Sequence, residues 1–181
     1  VAGARVSSLP EAIGGVGVEL TDPRGIPVRV VAGTTELAEL PAQQPHTFSF
    51  GHELLRANDT QRPPREPARV QRLGHLVLQS TAFLRSLDWY LDHLGLIVSD
   101  FLYYPGQRER GPAMSFLRCD RGPTPTDHHT LALVLGPADR YVHSAYEVCD
   151  LDAIAAGGEY LREAGYRRSW GIGRHIQGSQ I

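Results

Sequence analysis

Two histidines occupy matching places in two similar stretches of this sequence. His75 lies in the apolar run Leu-Gly-His-Leu-Val-Leu, and His143 lies in the run Tyr-Val-His-Ser-Ala. Each run precedes a helical pattern of apolar residues that ends at a glycine, Gly95 or Gly165. This self-similarity predicts two copies of one βαβββ module. If the copies pack about a pseudo-twofold axis, both imidazoles can enter one cavity and bind Fe, Zn, Cu or Ni.

A further pair of histidines lies at the start of an apolar run, in Asp-His-His-Thr-Leu-Ala-Leu. Strand alternation would place His129 on one face, with the leucines that follow it, and His128 on the other. One member of the pair could therefore enter the cavity while the other stays outside.

A carboxylate would complete the 2-His-1-carboxylate arrangement that holds Fe(II). Glu147 lies four residues after His143 on the same predicted strand face. Four residues of strand span about 13 Å, too far for both side chains to reach one ion. The third ligand is therefore expected beyond Ile181.

The elements that must position these residues follow from the apolar pattern. A helix is predicted over about 82–94, capped by Thr81, with an apolar face that includes Leu84. A second helix is predicted from Asp150 to about Ala164, with Leu151, Ile154 and Leu161 on one face. Strands are predicted at 72–78, 96–104, 113–119, 129–135 and 141–148. The expected fold is α+β, with paired modules forming an open, cup-shaped β-barrel around a metal site.

The part of the chain before the modules has a different character. A hairpin is predicted within 16–31, around the turn residues Asp22–Gly25, with nothing upstream to join it except a short stretch at 9–13. Five prolines among polar residues make 40–68 a linker, in which His46 and His52 are expected at the surface. We therefore predict three parts. Residues 1–39 are the C-terminal remnant of a non-catalytic domain, and residues 40–68 are the linker. Residues 69–181 are a catalytic domain with one module at 69–136 and an incomplete one at 140–181.

Composition excludes several classes of protein. All 18 basic residues are arginine, so a catalytic lysine or a P-loop lysine is excluded. The net charge is −2 and no apolar run reaches about 18 residues, so we expect neither a nucleic-acid partner nor a membrane span. Two cysteines far apart indicate free thiols and a cytoplasmic protein. Because the chain begins at Val1 and its single methionine is Met114, we expect that it is truncated at both ends.

Four stretches resemble the extradiol ring-cleaving dioxygenases of the vicinal oxygen chelate superfamily, the catechol and 2,3-dihydroxybiphenyl type. They are Leu-Gly-His-Leu-Val at 73–77, Asp-His-His-Thr-Leu-Ala-Leu at 127–133, Tyr-Val-His at 141–143 and Gly-Arg-His at 173–175. Their order and approximate spacing are similar to those of the family's C-terminal, catalytic domain. Residues 16–31 resemble the closing hairpin of its N-terminal domain.

The resemblance implies a role for each matching residue. It makes His75 and His143 ligands of Fe(II), with a glutamate beyond Ile181 as the third. It makes His129 the histidine that steadies oxygen species and assists proton transfer. It also implies a substrate-binding set: Val77, Phe116, His175 and Ser179.

The function implied is Fe(II)-dependent extradiol (meta) cleavage of a catecholic compound by O₂, in bacterial-type aromatic degradation, by a homo-oligomer. Two alternatives stay open. One is a glyoxalase-like isomerase, or another metalloenzyme of the same superfamily. The other is a metal-free small-molecule binding module.

Overall fold

A computed structural model describes residues 4–45, 51–53, 58, 66–167 and 171–175. Within these residues the protein is α+β, as predicted, with eight strands, two α-helices and one short 3-10 helix. Its contacts form two compact units, one within Val1–Glu39 and Gly74–Ala145 and the other within Leu40–Leu73 and Tyr146–Ile181.

Both cysteines of the chain lie within the described residues. Cys119 and Cys149 are both free thiols. None of the helices in the described ranges is long and apolar enough to cross a membrane.

The N-terminal strands form a small antiparallel sheet. Its strands are β1 (Val6–Ser8), β2 (Val16–Thr21) and β3 (Pro27–Ala32), in that order. The hairpin predicted within 16–31 is confirmed as β2 and β3. The prediction that nothing further upstream joins it is wrong, because β1 pairs with β2 from Val6 opposite Val18. Three exposed residues are too short a run for the alternation that marks a strand.

The first predicted module is present with its elements in the predicted order. They are β4 (Arg72–Ser80), α1 (Phe83–Leu94), β5 (Leu96–Leu102), β6 (Met114–Cys119) and β7 (Leu131–Leu135). β4 and β7 pair in parallel, whereas β6 pairs antiparallel with both β5 and β7. The second stretch contributes β8 (Arg140–Glu147), which lies next to β4 and gives the order β5-β6-β7-β4-β8. The two stretches therefore share one sheet, which is open in the described part of the chain.

Helix α1 packs against one face of this sheet. Its buried side chains are Phe83, Ser86, Leu87 and Tyr90, and with strand residues such as Leu78, Leu117 and Leu133 they form the core. Leu84, which was predicted on this face, is 61% exposed. The smaller Ser86 is buried there, and its hydroxyl forms a 2.8 Å hydrogen bond with the hydroxyl of Ser80.

Helix α1 ends at the predicted residue, but the predicted residue does not cap its start. Thr81 does not cap the helix, because its hydroxyl bonds the Asp139 carboxylate and the N-cap position is Ala82. The Ser80 hydroxyl accepts the Ala82 N–H. Gly95 ends the helix in the left-handed conformation, at φ 64°, as predicted.

The helix of the second stretch, α2 (Leu151–Glu163), begins where the sequence predicts. The Asp150 carboxylate accepts the N–H of Ala153 at 2.8 Å, which satisfies a free donor of the first turn. Of the predicted apolar face, Leu151 and Leu161 are about half exposed and Ile154 is half-buried, and the buried side chain of the helix is that of Ala153.

Candidate metal and substrate site

The two sides of β4 carry different chemistry because successive side chains of a strand point to opposite faces. Leu78 and Ser80 point toward α1. His75 and Val77 therefore share the opposite face of the sheet. Val77 is buried, with 3% of its surface exposed, whereas His75 is half-buried. An imidazole thus lies at the edge of an apolar surface, where a ligand can reach it.

His143 on β8 meets His75 on this face. The two Nε2 atoms are 3.3 Å apart, and the rings are inclined by 69° with centroids 5.4 Å apart. The two imidazoles therefore lie side by side on one face of the sheet, as the repeat predicts. The facing nitrogens can share one proton, or both can turn their lone pairs toward one cation.

The spacing of the two nitrogens fits a shared metal ion. An imidazole nitrogen lies about 2.1 Å from the ion that it binds. Two such nitrogens at an angle of roughly 90–110° are then about 3.0–3.4 Å apart, which brackets the observed separation of 3.3 Å. Neutral imidazole suits Fe, Zn, Cu and Ni. Among the residues that the structure describes, no group of three or more His, Cys, Asp or Glu side chains could hold a metal.

His129 lies two residues before β7, and its ring contacts the ring of His75. Their ring centroids are 4.1 Å apart and the rings are inclined by 37°. Leu131 packs in the core with α1, and residues two apart in a regular strand share a face. A regular strand would therefore have placed His129 on the α1 face. The regular strand begins only at Leu131, so the backbone at His129 does not follow that alternation. His129 is therefore the member of the pair that joins the site.

His128 stays exposed but keeps contact with its neighbour. Its Nδ1 lies 3.1 Å from the Nδ1 of His129. The Phe116 ring contacts both imidazoles, with centroids 5.4 Å from His128 and 4.9 Å from His129. Strand alternation puts the two adjacent imidazoles on opposite faces, so it predicts no contact between them and no role for His128.

An apolar row runs across the sheet beside the histidines. Phe116 on β6 pairs with Ala132 on β7, and Ala132 pairs with Val77 on β4. Paired residues of neighbouring strands point to the same face, so the three side chains form one continuous surface. This row contains both strand residues expected to line an aromatic pocket.

Glu147, which strand geometry excludes as a ligand, has another partner. Its carboxylate forms an ion pair with Arg72, and about half of each side chain is exposed. The pair belongs to the second unit.

The remaining predicted residues lie elsewhere or outside the described residues. His175 is exposed and belongs to the second unit. Ser179 and His46 lie outside the described residues, and His52 is exposed, as expected.

Asp22, Arg24 and Tyr90 form a buried ionic network near the C-terminal end of β4. The sequence marks Asp22 and Arg24 as turn residues but does not indicate that they contact Tyr90. The side chains of Asp22 and Arg24 form an ion pair with no exposed surface. The Tyr90 hydroxyl of α1 donates to the Asp22 carboxylate and accepts from the Arg24 guanidinium, both at 3.2 Å. Arg24 also donates to the backbone oxygen of Gln79 at 3.4 Å. The turn between β2 and β3 is thereby tied to the strand that carries His75.

Charge and burial shift two pKa values in this network. Burial alone would raise the pKa of Asp22, but the hydrogen bonds from Arg24 and from the backbone of Ile26 outweigh it and hold the pKa below its ordinary value. Burial, followed by the negative charge of Asp22, raises the pKa of Tyr90 to about 12. The network is therefore an ionised pair beside a neutral phenol at neutral pH.

Residues 72–181 match the model of the Glyoxalase/Bleomycin resistance protein/Dioxygenase superfamily. The chain belongs to this superfamily. The match covers more than half of the chain and includes His75, His129 and His143. The superfamily predicted from the four sequence stretches is thus confirmed.

Individual relatives include dioxygenases and a glyoxalase. Metapyrocatechase 2 from Cupriavidus necator is 36% identical over 109 residues, which is 60% of this chain and 31% of that protein. The Mn(II)-bound glyoxalase from Novosphingobium aromaticivorans has a TM-score of 0.63 and 26% identity, covering 98% of this chain and 48% of its own.

The 2,3-dioxygenase LapB from Pseudomonas sp. KL28 has a TM-score of 0.64 at 16% identity, covering 96% of this chain and 56% of its own, and supports the fold alone. The chain therefore spans between about a third and just over half of the length of these relatives.

Proposed function

We propose that the protein is an extradiol dioxygenase that uses Fe(II) and O₂ to open a catecholic ring beside its two hydroxyls. The observation that carries the proposal is the distance of 3.3 Å between the Nε2 atoms of His75 and His143, with the His129 ring against that of His75. The 36% identity to Metapyrocatechase 2, a protein named for pyrocatechol, supports the substrate class. A role in bacterial aromatic degradation, in the cytoplasm and as a homo-oligomer, belongs to the same proposal.

In this proposal His75 and His143 hold the iron through Nε2. A glutamate beyond Ile181 is the third ligand that the family resemblance implies. When bound, Fe(II) supplies the site at which the catechol oxygens and O₂ are brought together and share electrons. The chain's own residues do the rest of the work, which is orientation, exclusion of water and movement of protons.

His129 is the acid/base group of the proposal. Its ring lies next to the His75 ring, with centroids 4.1 Å apart, so an oxygen held beside His75 would lie near His129. Nε2 of His129 would donate a hydrogen bond to oxygen as negative charge develops there and would transfer a proton to it. Such a group contributes about 10²–10⁴-fold to a rate.

The row of Val77, Ala132 and Phe116 would form an apolar wall of the substrate site, in which the half-buried Phe116 would meet the aromatic ring and the other two would pack behind it. Val77 and Ala132 are almost fully buried, with 3% and 0% of their surface exposed. An apolar wall excludes water, and the hydrogen bond from His129 is stronger where the dielectric constant is low. His175 and Ser179 are proposed to contact the substrate, on the family resemblance alone.

A glyoxalase-like isomerase is the second candidate. The observation that favours it is the likeness over 98% of this chain to a glyoxalase that binds Mn(II). An isomerase has no need of a histidine that steadies reduced oxygen, so the position of His129 beside His75 favours the dioxygenase.

One experiment separates these functions. The protein is loaded with Fe(II) or Mn(II) without oxygen, and each form is given catechol in air or the hemithioacetal of a 2-oxoaldehyde and a thiol. The proposal predicts oxygen consumption and a yellow ring-opened product with the iron form. Isomerisation of the hemithioacetal without oxygen uptake would support the glyoxalase. Failure to bind either metal would support a metal-free binding module. His75→Ala serves as the matched control for both reactions.

A further inference from the structure

We propose that Gln79 is a positioning residue, which fixes His143 on β8 beside His75 on β4. It acts through Arg140, the first residue of β8, and it needs the room that Gly136 leaves for its amide. The inference rests on the proposed function only in that the two histidines hold one metal ion.

The side chain of Gln79 joins the two strands that carry the histidines. It lies on β4, two residues beyond Val77 and therefore on the same face of the sheet, and 5% of its surface is exposed. Its Oε1 accepts a hydrogen bond of 2.9 Å from Nε of Arg140. His143 follows Arg140 by three residues on the same strand, so the bond holds β8 close to its proposed metal ligand.

A glycine that follows β7 leaves the space in which the Gln79 amide lies. A Cβ atom added to Gly136 would be 2.0 Å from Nε2 of Gln79 and 2.3 Å from its Cδ, far inside van der Waals contact. Gly136 is not among the glycines with positive φ, so its backbone conformation does not itself require glycine. The close approach of the amide does, because a side chain at position 136 would push the amide away from Arg140.

The buried amide is not arranged for stability alone. In the part of the chain that the structure describes, Nε2 of Gln79 is buried without a hydrogen-bond partner. A buried donor without a partner lowers stability, and native proteins contain few of them. An aliphatic side chain would avoid that loss but could not accept a hydrogen bond from Arg140. What the amide adds is therefore the link to β8.

The connection between β7 and β8 is attached to the end of β4 at two further points. The N–H of Gly136 donates to the backbone oxygen of Ser80 at 3.2 Å. The Asp139 carboxylate accepts the N–H of Thr81 at 2.7 Å. The bond from Gln79 extends this attachment into β8, on the face that carries the histidines. Their Nε2 atoms are 3.3 Å apart, so a shift of a few tenths of an ångström takes them out of the range of about 3.0–3.4 Å that suits one ion.

A double-mutant cycle tests the link. Gly136→Ala puts a methyl group where the amide lies, and Gln79→Ala removes the amide together with its Cγ. Each variant should raise the apparent Kd for Zn(II) about tenfold, the lower end of what residues that support a metal ligand contribute. Because both changes break the same bond, the double variant should also stay near tenfold and not reach about a hundredfold. Competition with a chromophoric chelator measures each Kd.

Arg140→Ala breaks the same bond from its other side. Arg140 is exposed, so this variant leaves the core intact and tests the link even if Gly136→Ala does not fold. The Kd for Zn(II) should again rise about tenfold. Loss of a positive charge would by itself favour a bound cation, so weaker binding in this variant is not a charge effect.

Two further variants set the limits of the measurement. Gly158→Ala on α2 is the matched control, because a Cβ atom there meets nothing within 4 Å, and its Kd should equal that of the wild type. His143→Ala gives the Zn(II) binding that remains without the site. A wild-type Kd in Arg140→Ala, or losses that add in the double variant, would overturn the inference.

A second measurement needs neither metal nor turnover. Crystal structures of the metal-free wild type, Arg140→Ala and Gln79→Ala give the distance between the Nε2 atoms of the two histidines. We expect that distance to exceed about 3.4 Å in both variants. An unchanged distance in both would overturn the inference even if catechol is cleaved, whereas absence of ring cleavage by the iron-loaded wild type would overturn the proposed function alone.

Discussion

The turn between β2 and β3 and the histidine cluster beside β4 both place polar side chains inside the first unit, under different conditions. In the turn, Asp22 and Arg24 have no exposed surface, and each charge has its opposite as a partner. In the cluster, His75 and His143 are half-buried and direct like nitrogens toward each other at 3.3 Å. The first arrangement satisfies its own members, whereas the second suits a cation added between them.

This difference indicates that the two clusters contribute separately to stability and to chemistry. Breaking the buried pair leaves a charge without its partner in a poorly solvated place, which is costly to folding. Removing a half-buried imidazole leaves space that water can fill, so the loss falls on ligand binding. Substitutions in the two places should therefore affect different measurements.

The largest effect is expected for His143→Ala. Residues that merely support a metal ligand contribute about 10–100-fold to metal affinity, so loss of a ligand should exceed a hundredfold. We expect the purified variant to lack iron and to consume no oxygen with catechol, while its unfolding midpoint in urea, without metal, stays close to that of the wild type. Iron content by elemental analysis and oxygen uptake measure the two effects. Full iron occupancy in the variant would contradict the assignment of His143.

His129→Ala should separate metal binding from turnover. The variant is expected to bind iron normally and to lose about 10²–10⁴-fold in kcat, because it lacks the acid/base group but keeps both histidine ligands. Iron analysis and steady-state oxygen consumption are the measurements. Loss of iron would make His129 a ligand, and an unchanged rate would make it structural.

The complementary test concerns the turn. Asp22→Asn leaves Arg24 buried without an opposite charge, and the free energy of unfolding should fall by about 3–5 kcal/mol. The iron content and the kcat of the folded fraction should not change. Glu19→Gln is the matched control, because Glu19 forms an ion pair with Arg29 on the same hairpin but both side chains are more than half exposed. Its cost should lie below about 1 kcal/mol. Equal losses in the two variants would show that burial of the pair does not matter.

Acid titration sharpens the same contrast. The pKa of Asp22 lies below its ordinary value in the folded protein, so its carboxylate contributes stability that is fully present above about pH 4, the usual pKa of an unfolded aspartate, and is lost as pH falls through the folded pKa. The difference in unfolding free energy between wild type and Asp22→Asn should be constant from about pH 5 to pH 7 and should shrink below pH 4. Urea denaturation at each pH measures it. A difference that grew in acid would contradict the sign of the shift.

The elements of the first module were predictable because their patterns are local. The 3.6-residue spacing of Phe83, Leu87 and Tyr90 marks α1, and Gly95 marks its end through a left-handed conformation. The meeting of His75 and His143 was predictable from a longer-range signal, the repeat. Both inferences use information that lies along the chain.

Other features depend on contacts that no local pattern encodes. Asp22 and Arg24 were recognised as turn residues, but their bonds to Tyr90 join positions more than 60 residues apart. The choice between His128 and His129 depends on where the strand becomes regular, and alternation cannot locate that residue. The exposed leucines of α2 show that an apolar stripe does not say how much of it is covered.

The smallest effect is expected from the phenol of the turn network. Tyr90→Phe removes one hydroxyl that donates to Asp22 and accepts from Arg24, which should cost about 1–2 kcal/mol at pH 7. The pKa of Tyr90 is about 12 when folded against about 10 for an ordinary tyrosine. Between these values the unfolded chain loses its proton first, so the wild type should lose stability relative to the variant as pH rises above 10. The slope of that difference is at most about 1.4 kcal/mol per pH unit, the limit for one proton. Urea denaturation from pH 8 to pH 11 measures it, and a difference that stayed flat would mean that the Tyr90 hydroxyl is not held neutral by the buried network.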